Sequence, residues 1–263
     1  MKKFSFLLIM LAIFVPLVMA TLSGCENNFE TQTLDISEQF QNISVNADSA
    51  NLFFISSNDE SCRVVCEKRK KARFSAKVDN NELQINFLFR PSNFSIKNSK
   101  ITVYLPNTIY NNMIIESDTG DVQIENINVI GDLSIKVDTG DVNIKSCTPS
   151  SIKITDDTGN VKIEQASCKT LNIDVGTGHT SLTKTYASES LNITSDTGNV
   201  NFKDCDSNQI FVTTDTGDIK GNFLTEKIIF ARSDTGRIDV PNMTTGGRCE
   251  LETDTGNIKI TIN

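Results

Sequence analysis

The triplet Asp-Thr-Gly recurs through the second half of this 263-residue chain at a nearly constant interval, and that period restricts the fold more than any other feature. Intact copies begin at Asp118, Asp138, Asp157, Asp196, Asp215, Asp234 and Asp254, and an altered copy stands at Gly176-Thr177-Gly178. Successive copies lie 20, 19, 19, 20, 19, 19 and 20 residues apart, which makes eight units. A fixed period of this length is the mark of a solenoid, whose units stack because none can bury an apolar face alone. Five and three residues before the triplet stand pairs such as Leu133 and Ile135, Ile152 and Ile154, and Leu171 and Ile173. Four and six residues after its first position stand Val122 and Ile124, Val142 and Ile144, and Val161 and Ile163. Polar residues fill the places between, so each unit reads as two short strands with one buried and one wet face.

The expected fold is therefore all-β: a single-stranded, parallel β-helix of eight 19–20-residue coils, right-handed by the crossover rule. At about 4.8 Å per coil, such a stack would be roughly 38 Å tall. An antiparallel meander with the triplets as hairpin turns would put all four apolar columns on one face of a wide sheet, with nothing evident to cover it. Within the triplet, Gly120, Gly140, Gly159, Gly178, Gly198, Gly217, Gly236 and Gly256 read as structural turn residues, since glycine supplies the positive φ of a tight turn. The Asp reads as an acceptor for turn amides. Asp-Thr-Gly is also the active-site triplet of aspartic proteases, in which two aspartates share a proton. Such enzymes present one or two triplets, and seven intact copies at coil spacing favour a structural role.

Residues 1–24 read as a lipoprotein signal peptide. Lys2 and Lys3 precede an apolar run from Phe4 to Ala20 that is too short for a comfortable membrane span. Leu22-Ser23-Gly24-Cys25 resembles the lipobox of bacterial lipoproteins, which implies lipid attachment at Cys25 and cleavage before it. The expected location is the extracytoplasmic face of a bacterial membrane, with the membrane engaged through lipid at Cys25. Without residues 1–24, 23 basic side chains face 33 acidic ones, a net charge of −10 that argues against a nucleic-acid partner.

Residues 25–36 are polar and read as a tether. Residues 37–110 contain strand-like runs of uneven length and read as an irregular N-terminal β module that caps the first coil, leaving residues 111–263 for the repeats. From Ile101 onward, a strand ending Leu105-Pro106, followed by Met113-Ile114-Ile115-Glu116-Ser117-Asp118-Thr119-Gly120-Asp121-Val122, resembles the bacterial putative-adhesin domain, a β-strand-repeat family of unknown function. The resemblance spans roughly residues 40–263 and implies a β-helical envelope protein without known catalysis.

Several constellations could carry chemistry. Asp118, Asp138 and Asp157, with Asp121 and Asp141, would crowd carboxylates on one edge of the stack, where Ca²⁺ would relieve their repulsion. Aspartates satisfied by turn amides need no metal, and no cofactor is expected. Neighbouring coils bring acids about 5 Å apart, the spacing of a glycosidase, but any two rungs meet that distance. His179, the only histidine, falls in a polar column with Asp121, Asp141, Asn160, Asn199, Asp218, Arg237 and Asn257 and reads as a turn residue. Beyond Cys25 lie six cysteines. Cys147, Cys205 and Cys249 fall at core positions, and Cys62 and Cys66 on one strand would be about 13 Å apart, too far for a disulfide. Lys68, Arg69, Lys70, Lys71 and Arg73 form the one basic cluster of an acidic protein and are candidates for contact with anionic headgroups or wall polymers.

Together these features point to a lipid-anchored cell-envelope β-solenoid with a non-catalytic binding or structural task, facing an envelope glycan or protein. The competing readings are an envelope-stress or signalling accessory docking a membrane partner, and a carbohydrate-active enzyme.

Overall fold

The computed structural model describes residues 29–89 and 99–263, and all its regular structure is β. The signal peptide and Cys25 lie outside the described residues. Each triplet unit gives a long strand ending at its Thr and a short strand starting two residues after its Gly. These are β7 (Asn112–Thr119) with β8 (Val122–Glu125), β9 (Asp132–Thr139) with β10 (Val142–Lys145), and β11 (Ser151–Thr158) with β12 (Val161–Glu164). Next come β13 (Ser167–Thr177) with β14 (Thr180–Thr183), then β15 (Tyr186–Thr197) leading into β16 (Val200–Thr216), which carries one short and one long segment. The chain closes with β17 (Ile219–Phe223), β18 (Lys227–Thr235), β19 (Ile238–Asp239), β20 (Gly247–Thr255) and β21 (Ile258–Ile262).

Equivalent positions pair in parallel, as in Ile135↔Ile154, Ile154↔Ile173 and Ile144↔Ile163. The repeat thus becomes continuous ladders of Ile, Val and Leu, and the buried side chains form one cluster from Ile36 to Ile260. A further inward column, one residue before each triplet, was not legible in the period. It holds Ser117, Val137, Asp156, Val175, Ser195, Thr214 and Thr253, all buried, and the half-buried Ser233 of the edge unit.

The N-terminal region sits against the first coil and continues its stacking. β2 (Asn42–Ser57) stacks directly on the first triplet unit, pairing Val45↔Ile115 with β7 and Phe54↔Ile124 with β8. On its other side, β5 (Glu82–Leu88) and β6 (Ser99–Pro106) add another parallel layer. Residues on both sides of position 110 share the same core. The antiparallel capping is done by β3 (Cys62–Arg69) on β6, β4 (Arg73–Asp79) on β5, and β1 (Phe29–Ile36) on β3. The expected tether is corrected accordingly. From Phe29 onward it is a strand, because Leu34 packs against the core and Ile36 is buried in it, with Leu34 opposite Val64.

At the other end the stacking leaves chain order. β20 lies between β16 and β18, through Ile210↔Cys249 and Ile229↔Cys249, and β21 lies between β17 and β19. The final unit is intercalated between its two predecessors. Burial explains the exchange: Cys249, Leu251, Ile258 and Ile260 are fully enclosed there. The unit left at the edge has only Ile229, Ala231 and Val240 half-buried and Ile238 exposed. The more apolar unit takes the site where apolar area is worth most.

Candidate functional site

The triplet corner is built by close backbone approach. A Cβ added to Gly140 would lie 2.3 Å from the Gly120 carbonyl oxygen, and one on Gly198 would lie 1.8 Å from that of Gly178. Gly198 also has φ of +153°. The glycines therefore form a column in which each coil leans on the one before it, a stronger demand than turn conformation alone.

The corner amides are capped by the residue after the glycine rather than by the triplet Asp. The Asp121 N–H donates to Asn51 Oδ1, Asp141 N–H to Asp121 Oδ1, Asn160 N–H to Asp141 Oδ1, and His179 N–H to Asn160 Oδ1, at 2.9–3.2 Å. His179 continues the run by accepting from the Asn199 N–H through Nδ1 at 3.0 Å. The Asp218 N–H then donates to Asn199, Asn257 N–H to Asp218, and Arg237 N–H to Asn257. Every coil thus hands an acceptor to the next. Arg237, which has no acceptor, stands in the edge unit, where no further coil needs one. The triplet aspartates point outward; Asp138 and Asp234 make exposed ion pairs with Lys136 at 3.9 Å and Arg232 at 3.1 Å.

Of the calcium candidates, Asp121 and Asp141 are occupied by this amide ladder, Asp118 and Asp157 are exposed, and Asp138 is half-buried beside Lys136. Among the described residues no group of three or more His, Cys, Asp or Glu side chains is placed to hold a metal ion. The six described cysteines are free and buried. Burial pushes the Cys62, Cys66, Cys168 and Cys249 thiols up to about 12 and Cys147 to about 11, so they stay neutral packing groups.

The basic cluster divides in two. Lys68 is buried, pairing with Glu30 and donating to the Ala72 carbonyl at 3.1 Å, and Arg69 lies over the rings of Phe29 and Phe89 at 5.2 and 5.8 Å. Lys70, Lys71 and Arg73 are left exposed around the β3–β4 turn.

What remains for recognition is the outer polar surface. Along the short strands the outward positions repeat as Gln123, Asn143 and Lys162, paired in register at coil spacing. Beside them, Lys145 bridges Glu125 at 3.1 Å and Lys162 bridges Glu164 at 2.9 Å over a shallow hollow of about 300 Å³. On the long strands Asn192 donates to Asn172 at 2.8 Å. These are charge-balanced, repeated polar rows.

The sequence pattern of the family described as Toastrack DUF4097 matches residues 40–263. A crystal structure of a putative adhesin from Bacteroides fragilis superposes with a TM-score of 0.60 at 18% identity, covering 89% of this chain and 97% of that one. Another, of a putative adhesin from Parabacteroides distasonis, gives 0.49 at 13% identity, covering 90% and 98%. No curated protein matches.

Proposed function

Because the chain belongs to the Toastrack DUF4097 family, we propose that it is a lipid-anchored cell-envelope β-solenoid that binds without catalysing. The observation that carries this reading is the division of labour in each coil. Glycines, corner amides and their acceptors are committed to stacking, and the outer faces repeat the same polar groups at a fixed spacing. Such a surface suits a repetitive partner, an envelope glycan or protein, more than a single small substrate. The names of the structural neighbours, putative adhesins, are in keeping with a surface role. The eight triplet units are taken as right-handed coils by the crossover rule.

The anchoring part of the proposal rests on Leu22-Ser23-Gly24-Cys25. Phe29, four residues after Cys25, pairs with Arg69, so the exposed Lys70, Lys71 and Arg73 belong to the anchored end and can face anionic headgroups. Fractionation of cells carrying the full chain tests both parts. The wild type should sediment with membranes and Cys25→Ala should be released, and detergent-solubilised wild type should retain an envelope glycan or protein in pull-downs. A Cys25→Ala chain that still sediments sinks the anchor, and empty pull-downs sink the binding role.

A further inference from the structure

Away from the corner ladder, on the edge of the stack where short strands lead back into long ones, lies a groove of about 370 Å³. It crosses four rungs, set by the pairs Ser167↔Tyr186 and Tyr186↔Asp206 and by the start of β20 beside β16. At about 4.8 Å per rung that is roughly 14 Å, the reach of an extended ligand. The register slips here, between Cys168 and Thr170 and between Ala187 and Ser190. Such bulges re-aim side chains and interrupt regular pairing.

The floor is an electrically closed set. Lys227, 1% exposed, places Nζ 2.6 Å from Asp206 Oδ1 and also donates to the Thr225 hydroxyl and carbonyl. Asp206 Oδ1 accepts in addition from the Ser207 N–H at 2.8 Å and the Thr225 hydroxyl at 3.1 Å. All three ammonium hydrogens have partners within the protein, so no free charge greets an anion, and the net charge of the chain repels one. Beside this floor the exposed side chains of Ser167, Ser188 and Asn208 line the groove with hydroxyl and amide groups. At the mouth stands Tyr186, 38% exposed, an aromatic face with a polar tip.

Hydroxyl and amide walls, a neutral floor and one aromatic platform select for an uncharged polyhydroxylated chain. We propose that this groove binds a linear neutral oligosaccharide, with Tyr186 stacked on a sugar face and Asn208 hydrogen-bonded to a ring hydroxyl. This rests on the binding role above and names the ligand class and place. The groove has a single carboxylate, Asp206, already tied to Lys227, so it lacks the carboxylate pair that glycoside hydrolysis requires.

Calorimetric titration of the full chain in detergent, against neutral hexose and N-acetylhexosamine oligomers of graded length and against uronate oligomers, tests the proposal. The neutral oligomers should bind saturably and the uronates should not. Tyr186→Ala should weaken binding roughly five- to tenfold. Asn208→Ala should weaken it about as much while leaving Tm nearly unchanged, because the side chain it removes is exposed. Preference for uronates or for peptides, or neutral binding that both variants retain, overturns the groove assignment. If the pull-downs succeed while the groove variants bind normally, the binding role stands and its site lies elsewhere.

Discussion

Asp156→Val should stabilise this protein, and by an amount that grows with pH. Asp156 is 1% exposed and sits in the inward column between Val137 on one neighbouring coil and Val175 on the other. One carboxylate oxygen accepts the Thr158 N–H at 3.1 Å, while the other is buried without a partner. Burial raises the carboxyl to a pKa of about 7 from 3.8, outweighing the Thr158 amide, with Asp141 and Asp157 adding repulsion. An acid that is weaker in the folded state than in the unfolded one holds its proton longer when folded. Its contribution is therefore intact below about pH 4 and is lost progressively as the pH rises through 7. From 3.8 to about 7, at about 1.4 kcal/mol per tenfold change in proton affinity, the loss approaches a ceiling of about 4 kcal/mol above pH 8. That is a large part of the 5–15 kcal/mol typical of a folded domain. Valine also matches the residues above and below it, and its burial adds about 1.5–3 kcal/mol. The assay is urea unfolding of wild type, Asp156→Val and Asp156→Asn at pH 4 to 9, comparing the difference in unfolding free energy at each pH so that other titrations cancel. The advantage of both variants should widen between pH 4 and 8. A difference that stays flat with pH, or a valine variant less stable than wild type at pH 8, would refute the reasoning.

Gly198→Val should cost about 3 kcal/mol or more and appear in the insoluble fraction, since its Cβ would lie 1.8 Å from a backbone oxygen, whereas Asp138→Asn on the exposed corner should stay within about 0.5 kcal/mol in the same unfolding assay. His179→Leu, which leaves the Asn199 amide without its acceptor, should cost about 1 kcal/mol by thermal melting, and His179→Asn should restore most of it by supplying an acceptor of the same column. Maleimide at neutral pH should label none of the six described cysteines in the native protein and all six in denaturant, because burial holds them as neutral thiols; rapid native labelling would contradict that packing.

The period of the triplet and the Ile, Val and Leu columns revealed the parallel stacking, because both follow directly from which side chains can be buried in a repeated coil. Three features escaped for physical reasons. The inward column containing Ser117, Asp156 and Thr214 is chemically mixed, so no apolar alternation betrays it. The second corner of the first five triplet units places Asn126, Ser146, Gln165, Lys184 and Asp204 at φ of 48–57°, a left-handed turn made without glycine and with a different side chain each time. The intercalation of the last unit keeps the same period and so leaves the spacing unchanged. One residue did carry its signal: Arg237 is the single member of the amide-capping column that cannot accept a hydrogen bond, which marks its unit as the end of the stack. The same column shows why His179 is tolerated, since its Nδ1 offers an acceptor where neighbours use Asn or Asp. The groove around Tyr186 and Lys227 was beyond sequence reading, because it exists only where β20 returns beside β16 and brings Gly247 next to Asn208.

The most direct test of a solenoid that binds without catalysing is to incubate the purified full chain with an array of envelope glycans and envelope proteins, with and without calcium, and to analyse the recovered ligands by mass spectrometry. Saturable retention of an intact ligand, unchanged by chelation, is the predicted result. Release of new reducing ends or cleaved fragments, or retention that vanishes when calcium is removed, would contradict it.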